Sequence, residues 1–202
     1  MMNEYFEKIY CVNLDKRKDR WEQAQVQFKK HNLEVERFSA IEGNPDNIPT
    51  KIVSGHVGCV LSHYNIIKKA SENNLNQILI LEDDVVFSEN LQDDFKKLIK
   101  QVPEDWDMLY FGGNHNGIPL EMVDENVAKI QKTYTTHAYA IRKPVYEVVL
   151  KMFPKLKHEV DVMYSLLQGS FNCYVFRPHL AWQKDGYSDI LNKEVNYDFL
   201  KK

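Results

Sequence analysis

Gln77-Ile78-Leu79-Ile80-Leu81-Glu82-Asp83-Asp84 decides the reading of this chain. Its apolar run, bounded by Asn76 and Gln77 on one side and by acids on the other, has the pattern of a strand buried on both faces. Three carboxylates at the carboxyl end of such a strand repel one another unless a cation lies among them, and a hard divalent ion with oxygen ligands suits them best. Open α/β sheets collect ligands at the carboxyl ends of their strands. The stretch therefore points to a metal-dependent site for a charged substrate. The plainer alternative is that the acids open a loop and cap a helix beginning near Leu91.

Upstream, Lys8 to Leu14 reads as a first strand. Asp19 to His31 reads as a helix with Trp21, Ala24, Gln25 and Phe28 at near-helical spacing, and Val35 to Ala40 as a second strand. Glu42 to Ser54 is a loop rich in Asn, Asp and Pro. Val57, Val60, Leu61, Tyr64, Ile67 and Lys68 then mark a helix over Gly55 to Glu72. Downstream of the acids, Leu91, Phe95, Leu98, Ile99 and Val102 form a helical stripe that Pro103 ends. Trp106 to Gly112 reads as a buried strand, and Gly112 to Gly117 as a mobile stretch. Val127 to Lys132 and His137 to Ile141 are further strands. Pro144 opens a helix with Val145, Val148, Val149 and Met152. Val160 to Gln168 is a helix, Cys173 to Arg177 a last short strand, and the tail from Trp182 is polar and irregular. Strands alternating with helices predict an α/β fold with a mostly parallel central sheet covered on both faces. A single domain is expected, with a nucleotide-binding half over about 1–112, a smaller mixed half over about 113–202, and a cleft between them.

The composition fits this picture. A chain of 202 residues with 44% hydrophobic and 27% charged residues has enough apolar content for one sizeable core. A net charge of −3 and the absence of a basic run argue against a nucleic-acid partner. No stretch approaches the roughly twenty apolar residues that span a bilayer, and Met1 to Lys8 has no signal-peptide core, so a cytoplasmic location is expected. Cys11, Cys59 and Cys173 are odd in number and flanked by apolar residues, which suits buried free thiols in a reducing compartment.

Three further groupings carry chemistry. Asn13 to Arg20 spans the exit of the first strand and the start of the first helix, where backbone donors favour anions and Arg17 or Arg20 adds a charge-assisted bond to a phosphate. The alternative is a solvated turn with an Asp19 cap. Gly55 to His63 places two glycines at a helix start, allowing close backbone approach to a ligand, with Ser62 and His63 one or two turns on. A helical His is otherwise a satisfied structural group. In the carboxyl half, His137, Tyr139, Asp161, His179, Gln183, Ser188 and Asp189 supply a carboxylate base for a hydroxyl and a His that can complete a metal shell.

Taken in order, these blocks resemble glycosyltransferase family 25, which includes lipooligosaccharide and collagen hydroxylysine galactosyltransferases. The resemblance runs from Ile9-Tyr10-Cys11-Val12-Asn13-Leu14 with Arg17 and Asp19-Arg20, through Gly58-Cys59-Val60-Leu61-Ser62-His63, to Ile80-Leu81-Glu82-Asp83-Asp84-Val85. It continues more loosely at His137 to Ile141, Val160-Asp161, and Gln183 with Ser188-Asp189-Ile190. It implies a GT-A type fold, a UDP-sugar donor, a divalent ion such as Mn2+, inversion at the anomeric carbon, and a glycan or protein hydroxyl as acceptor. The family's acidic motif then makes Asp84 the main metal ligand and Glu82 a second or water-mediated one. The third stays open among His137, His179, Gln183 and Asp189. Donor binding falls to Asn13, Arg17, Arg20, Gly58, Ser62, His63, Asp83 and Gln183. Asp161 is the expected base and Asp189 the next candidate. Sugar, acceptor, linkage and oligomeric state are left open. Two rival classes remain: a metal-dependent phosphoesterase or nucleotidyltransferase, and a non-catalytic sugar-nucleotide binder on the same fold.

Overall fold

The computed structural model describes residues 1–43 and 52–201. The chain opens with a short helix α1 (Met2–Tyr5), then strand β1 (Lys8–Asn13), helix α2 (Lys18–Lys30) and strand β2 (Glu36–Ser39). Helix α3 (Ser54–Glu72) leads to β3 (Gln77–Glu82), and a turn through Asp83 and Asp84 to β4 (Val85–Phe87) and α4 (Leu91–Leu98). The second half adds β5 (Met108–Tyr110), β6 (Glu121–Asp124), β7 (Val127–Lys129), β8 (Ala138–Arg142), α5 (Lys143–Met152), α6 (Val160–Leu167) and β9 (Cys173–Phe176). Three short strands finish it: β10 (Ala181–Gln183), β11 (Gly186–Ser188) and β12 (Lys193–Val195).

Eight strands form one sheet in the order β2-β1-β3-β8-β5-β9-β7-β6, in which β8 and β7 run against the other strands. The apolar run of β3 shows why the sheet is buried twice. Leu79 and Leu81 join one core with Ala24 and Phe28 of α2 and Leu91, Phe95 and Leu98 of α4. Ile78 and Ile80 join a second core with α3, α5 and α6 through Val60, Ile67, Val149 and Tyr164. Alternate side chains of one strand thus serve opposite layers, as a pleat with period two requires. Truncating Leu79 or Ile80 to Ala at such sites costs about 2–5 kcal/mol.

From β1 the chain goes to β2 on one side, and through α3 to β3 on the other. This change of direction makes β1 a topological switch point, where the carboxyl ends of neighbouring strands open a crevice. A cleft lined by Asn13 and Glu82 lies there.

Several expectations need adjustment. The tail from Trp182 is not irregular: β10 pairs antiparallel with β4, and β11 with β12 form a hairpin. Gly112 to Gly117 is held rather than loose, because Asn114 and Tyr134 exchange backbone hydrogen bonds of 3.1 and 2.8 Å. Helix α4 ends at Leu98, and a single tighter turn carries the stripe through Gln101. The expected loop Glu42 to Ser54 falls largely on 44–51, outside the described residues, and Ser54 itself begins α3. Among the described residues, no helix is long and apolar enough to cross a membrane.

Candidate functional site

The acids stand where three backbone arrangements meet. Val12 of β1 lies in register with Glu82 of β3, so Asn13 faces the acidic turn. Pairing of Gln183 with Val85 brings Gln183 beside Asp84, and the Lys184 amide donates to the Asp84 carbonyl at 2.8 Å. Because β8 is antiparallel to β3, its beginning sits at the acid end, and the Thr136 hydroxyl donates to Glu82 Oε1 at 2.6 Å. The resulting cleft, about 490 Å3, is lined by residues of both halves, including Asn13, Glu82, Asp84, Asp161, Gln183 and Asp189.

Asp84 carries the clearest signal. Among the described residues its Oδ1 is buried without a hydrogen-bond partner, while its Oδ2 lies 3.4 Å from Gln183 Nε2 and 3.9 Å from Arg20. An orphaned carboxylate oxygen costs free energy unless something cationic meets it. Burial, then the nearby Asp83, pushes the Asp84 carboxyl up to about 6 against the pull of Arg20. Burial, then Asp84, pushes Glu82 up to about 8. Two buried carboxylates that each resist ionisation suit a divalent ion, which replaces the missing charge.

A pH dependence follows. With the ordinary Glu82 value at 4.5 and the folded one near 8, the native protein binds more protons than the unfolded chain between those values. Stability of the metal-free protein should therefore fall as pH rises through that window, with Asp84 contributing the lower part from 3.8 to about 6. Melting curves of parent and Glu82→Gln check this. The variant should flatten between pH 6 and 8, and a slope as steep as the parent's would remove Glu82 as its source.

The basic residues are already engaged. Arg20 donates to Asp83 Oδ1 at 3.0 Å and to the Tyr187 carbonyl, and lies 4.0 Å from Asp189. Arg17 pairs with Asp19 at 2.8 Å and with Asp189. Asn13 braces the turn: its Nδ2 donates to Asp83 Oδ2 at 2.7 Å and to the Arg17 carbonyl, and its Oδ1 accepts from Arg37 Nε at 2.9 Å. Asn13, Arg17, Arg20 and Asp83 thus form one hydrogen-bonded group, which Asp189 and the Tyr187 carbonyl join.

On α3 the motif is largely structural in its hydrogen bonding. Ser62 Oγ donates to the Gly58 carbonyl at 2.7 Å and accepts from the Ile41 amide at 2.8 Å. A Cβ on Gly58 would fall 2.3 Å from the Ile41 carbonyl oxygen, so its missing side chain admits the chain's own backbone over 41–43. Ile190 packs over Gly55 in the same way, at 3.1 Å from the position of a Cβ. His63 is fully buried, with Nδ1 at 2.8 Å from the Tyr139 hydroxyl and Nε2 at 3.7 Å from Glu82 Oε1.

Asp161, at the start of α6, lines the cleft and accepts from the Thr135 amide at 3.2 Å and from the Val162 amide at 2.8 Å. Thr135 has φ +71°, a left-handed conformation that a β-branched residue adopts at a cost of about 1–3 kcal/mol. The pair Thr135-Thr136 therefore ties Asp161 on one side to Glu82 on the other. Of the candidates for a third ligand, Gln183 reaches Asp84, whereas Asp189 is paired with Arg17. His179 contacts His115 at 3.1 Å and the Leu200 carbonyl at 2.8 Å, and His137 Nε2 meets the Ala181 carbonyl at 3.1 Å. Neither histidine lines the cleft. Thr135, Thr136 and Arg37 were not singled out from the sequence. Only their closeness to His137 and to the second strand could have drawn attention to them.

Comparison with known proteins gives the context. The profile of glycosyltransferase family 25 (LPS biosynthesis protein) matches residues 6–164. The chain is similar to procollagen galactosyltransferase 2 from Homo sapiens, 26% identical over 162 residues, covering 67% of this chain and 26% of that protein. It is also similar to a glycosyltransferase 25 family member from Aedes aegypti, 29% identical over 176 residues, covering 75% of this chain and 28% of that one. The chain thus spans about a quarter of the length of these curated relatives. Among solved structures it is similar in fold to A197 from STIV, with TM-score 0.51, 13% identity, and coverage of 96% of this chain and 94% of that one.

Proposed function

The chain belongs to glycosyltransferase family 25, and from that premise we propose that it moves a hexose, galactose or glucose, from a UDP-sugar to a hydroxyl of a glycan or protein, with inversion and with a divalent cation, Mn2+. The three-layer frame is read as GT-A type, with residues up to about 112 contributing most of the donor side and the rest most of the acceptor side. The observation that carries the reading is the buried, partnerless Asp84 Oδ1 beside a second carboxylate of raised proton affinity. Asp84 is the main ligand, Glu82 the second, and Gln183, whose amide nitrogen faces Asp84, completes the set once its side chain turns its oxygen to the ion. When bound, such an ion neutralises charge on a departing nucleoside diphosphate.

The remaining work falls to the protein's own groups. Arg17 and Arg20 exchange their carboxylate partners for phosphate oxygens when the donor enters, at low cost in desolvation because both guanidiniums are already partly covered. Asn13 and Asp83 hold the turn that presents the nucleotide, and Gly58, Ser62 and His63 form the wall beneath the sugar. Asp161 accepts the proton of the attacking hydroxyl, and one base on the acceptor side is all that an inverting displacement needs. Asp189, held by Arg17, is the poorer base.

The test is to incubate the protein with Mn2+ and a panel of UDP-sugars, with and without hydroxyl acceptors, and to identify the nucleotide product. Release of UDP supports sugar transfer, whereas release of UMP would indicate phosphoester chemistry instead. Replacing Arg17 and Arg20 together by Ala should raise the donor KM about tenfold to a hundredfold, taking the loss as roughly 1.5–3 kcal/mol of charge-assisted hydrogen bonding. A donor titration that superimposes on the parent's would move the nucleotide elsewhere.

A further inference from the structure

Behind Asp84 the cleft holds a second convergence of ligating atoms, of a different chemical character. Cys59 and His63 are four residues apart on α3 and so share one face of the helix, while Glu82 faces them from the end of β3. The Cys59 sulfur, a His63 ring nitrogen and a Glu82 carboxylate oxygen all lie within 4.8 Å of one another. Ligands of one tetrahedral ion are about 3.5 Å apart, so a modest turn of the Cys59 or Glu82 side chain closes the set.

Two of the three ligands are already oriented by the groups behind them. Tyr139 donates to the Tyr164 hydroxyl at 2.9 Å, so its own oxygen accepts from His63 Nδ1–H, and Nε2 keeps its lone pair. That Nε2 is buried, has no hydrogen-bond partner among the described residues, and lies 3.7 Å from Glu82 Oε1. Thr136 fixes the carboxylate of Glu82 in turn. A hydroxyl behind the imidazole and another on the carboxylate are what holds the ligands of a metal site in place. All three ligands also line the cleft, which leaves a fourth position open to it.

We propose that Cys59, His63 and Glu82 form a second cation site, selective for a thiophilic divalent ion such as zinc and distinct from the oxygen-rich position at Asp84. Thiolate and imidazole favour zinc over manganese or magnesium, whereas the Asp84 carboxylate offers oxygen alone. Binding displaces the thiol proton to solvent and forms the sulfur–metal bond, with no redox change. Glu82 is shared between the two positions, so zinc at the inner one withdraws a ligand from the outer one.

The site is independent of the sugar-transfer reading, and its test uses no nucleotide. Cobalt(II) is titrated into chelator-stripped protein as a spectroscopic stand-in. One equivalent should give the near-ultraviolet thiolate-to-cobalt band and the strong visible bands of a tetrahedral ion, both discharged by zinc. Cys59→Ser should lose the thiolate band, while Cys11→Ala and Cys173→Ala keep it. Tyr139→Phe should weaken zinc binding by about tenfold to a hundredfold. X-ray absorption of the zinc-loaded parent needs no variant and should show one sulfur at about 2.3 Å. Failure of the parent to take up cobalt, a thiolate band that survives Cys59→Ser, or a zinc shell without sulfur would overturn the proposal.

Discussion

Asp84→Asn is expected to abolish measurable transfer and to erase the joint stabilisation of the protein by manganese and UDP, while leaving the fold intact. In the parent, ion and diphosphate complete one another's coordination, so together they should stabilise far more than either alone. At 100-fold excess over the dissociation constant the gain is about 2.7 kcal/mol, roughly 5–10 °C in Tm for a domain of this size. Asn keeps the shape of the side chain but offers the ion one neutral oxygen. Loss of charge stabilisation worth several kcal/mol corresponds to a fall in turnover of roughly a thousandfold or more. The metal-free variant should be no less stable than the parent, because the substitution relieves a buried carboxylate whose Oδ1 has no partner. Differential scanning fluorimetry with manganese, UDP and both decides the matter. A variant that still gains from the pair as the parent does would take the metal away from Asp84.

Asp161→Asn addresses the other side of the cleft. Asn retains an acceptor for the Thr135 amide, so the left-handed turn at Thr135 and the neighbouring Thr136–Glu82 contact should persist. What is lost is the ability to take a proton from the acceptor hydroxyl, typically worth about 10²–10⁴ in rate. Turnover with a competent acceptor should therefore drop at least about a hundredfold while UDP binding measured by calorimetry stays at the parental value. Turnover close to the parent's would reject Asp161 and leave Asp189. Loss of UDP binding would instead put Asp161 against the donor.

The elements legible in the sequence were those with a long period or a long apolar run. Helix α3 was expected over Gly55 to Glu72 and spans Ser54–Glu72, and β3 was expected over Gln77 to Leu81 and spans Gln77–Glu82. Strands β4 and β10 are three residues each and make sense only as partners of one another, which local periodicity cannot reveal. Strand β6 is exposed at all four positions and so carries no burial pattern to read. The site divides in the same way. The acids announce themselves as three consecutive carboxylates directly behind an apolar run. Thr136 does not, since its meeting with Glu82 depends on β8 running antiparallel to β3. The bond from Arg17 to Asp189 spans 172 residues and belongs to tertiary structure alone.

Strand β9 lies inside the main sheet between β5 and β7, and β10 secures β4 directly behind the acidic turn. Both fall beyond residue 164, where the family match stops. Leu180 and Ala181 are buried in the same core as Phe95 and Phe111, and Leu200 is buried as well. A gene trimmed at that border, or a chimera joined there to borrow another relative's specificity, would remove an interior plank of the sheet together with Gln183. Recombination between relatives should therefore treat 173–201 as inseparable from the acidic turn and the core beneath it, and seek variety in surface loops such as the turn between β6 and β7.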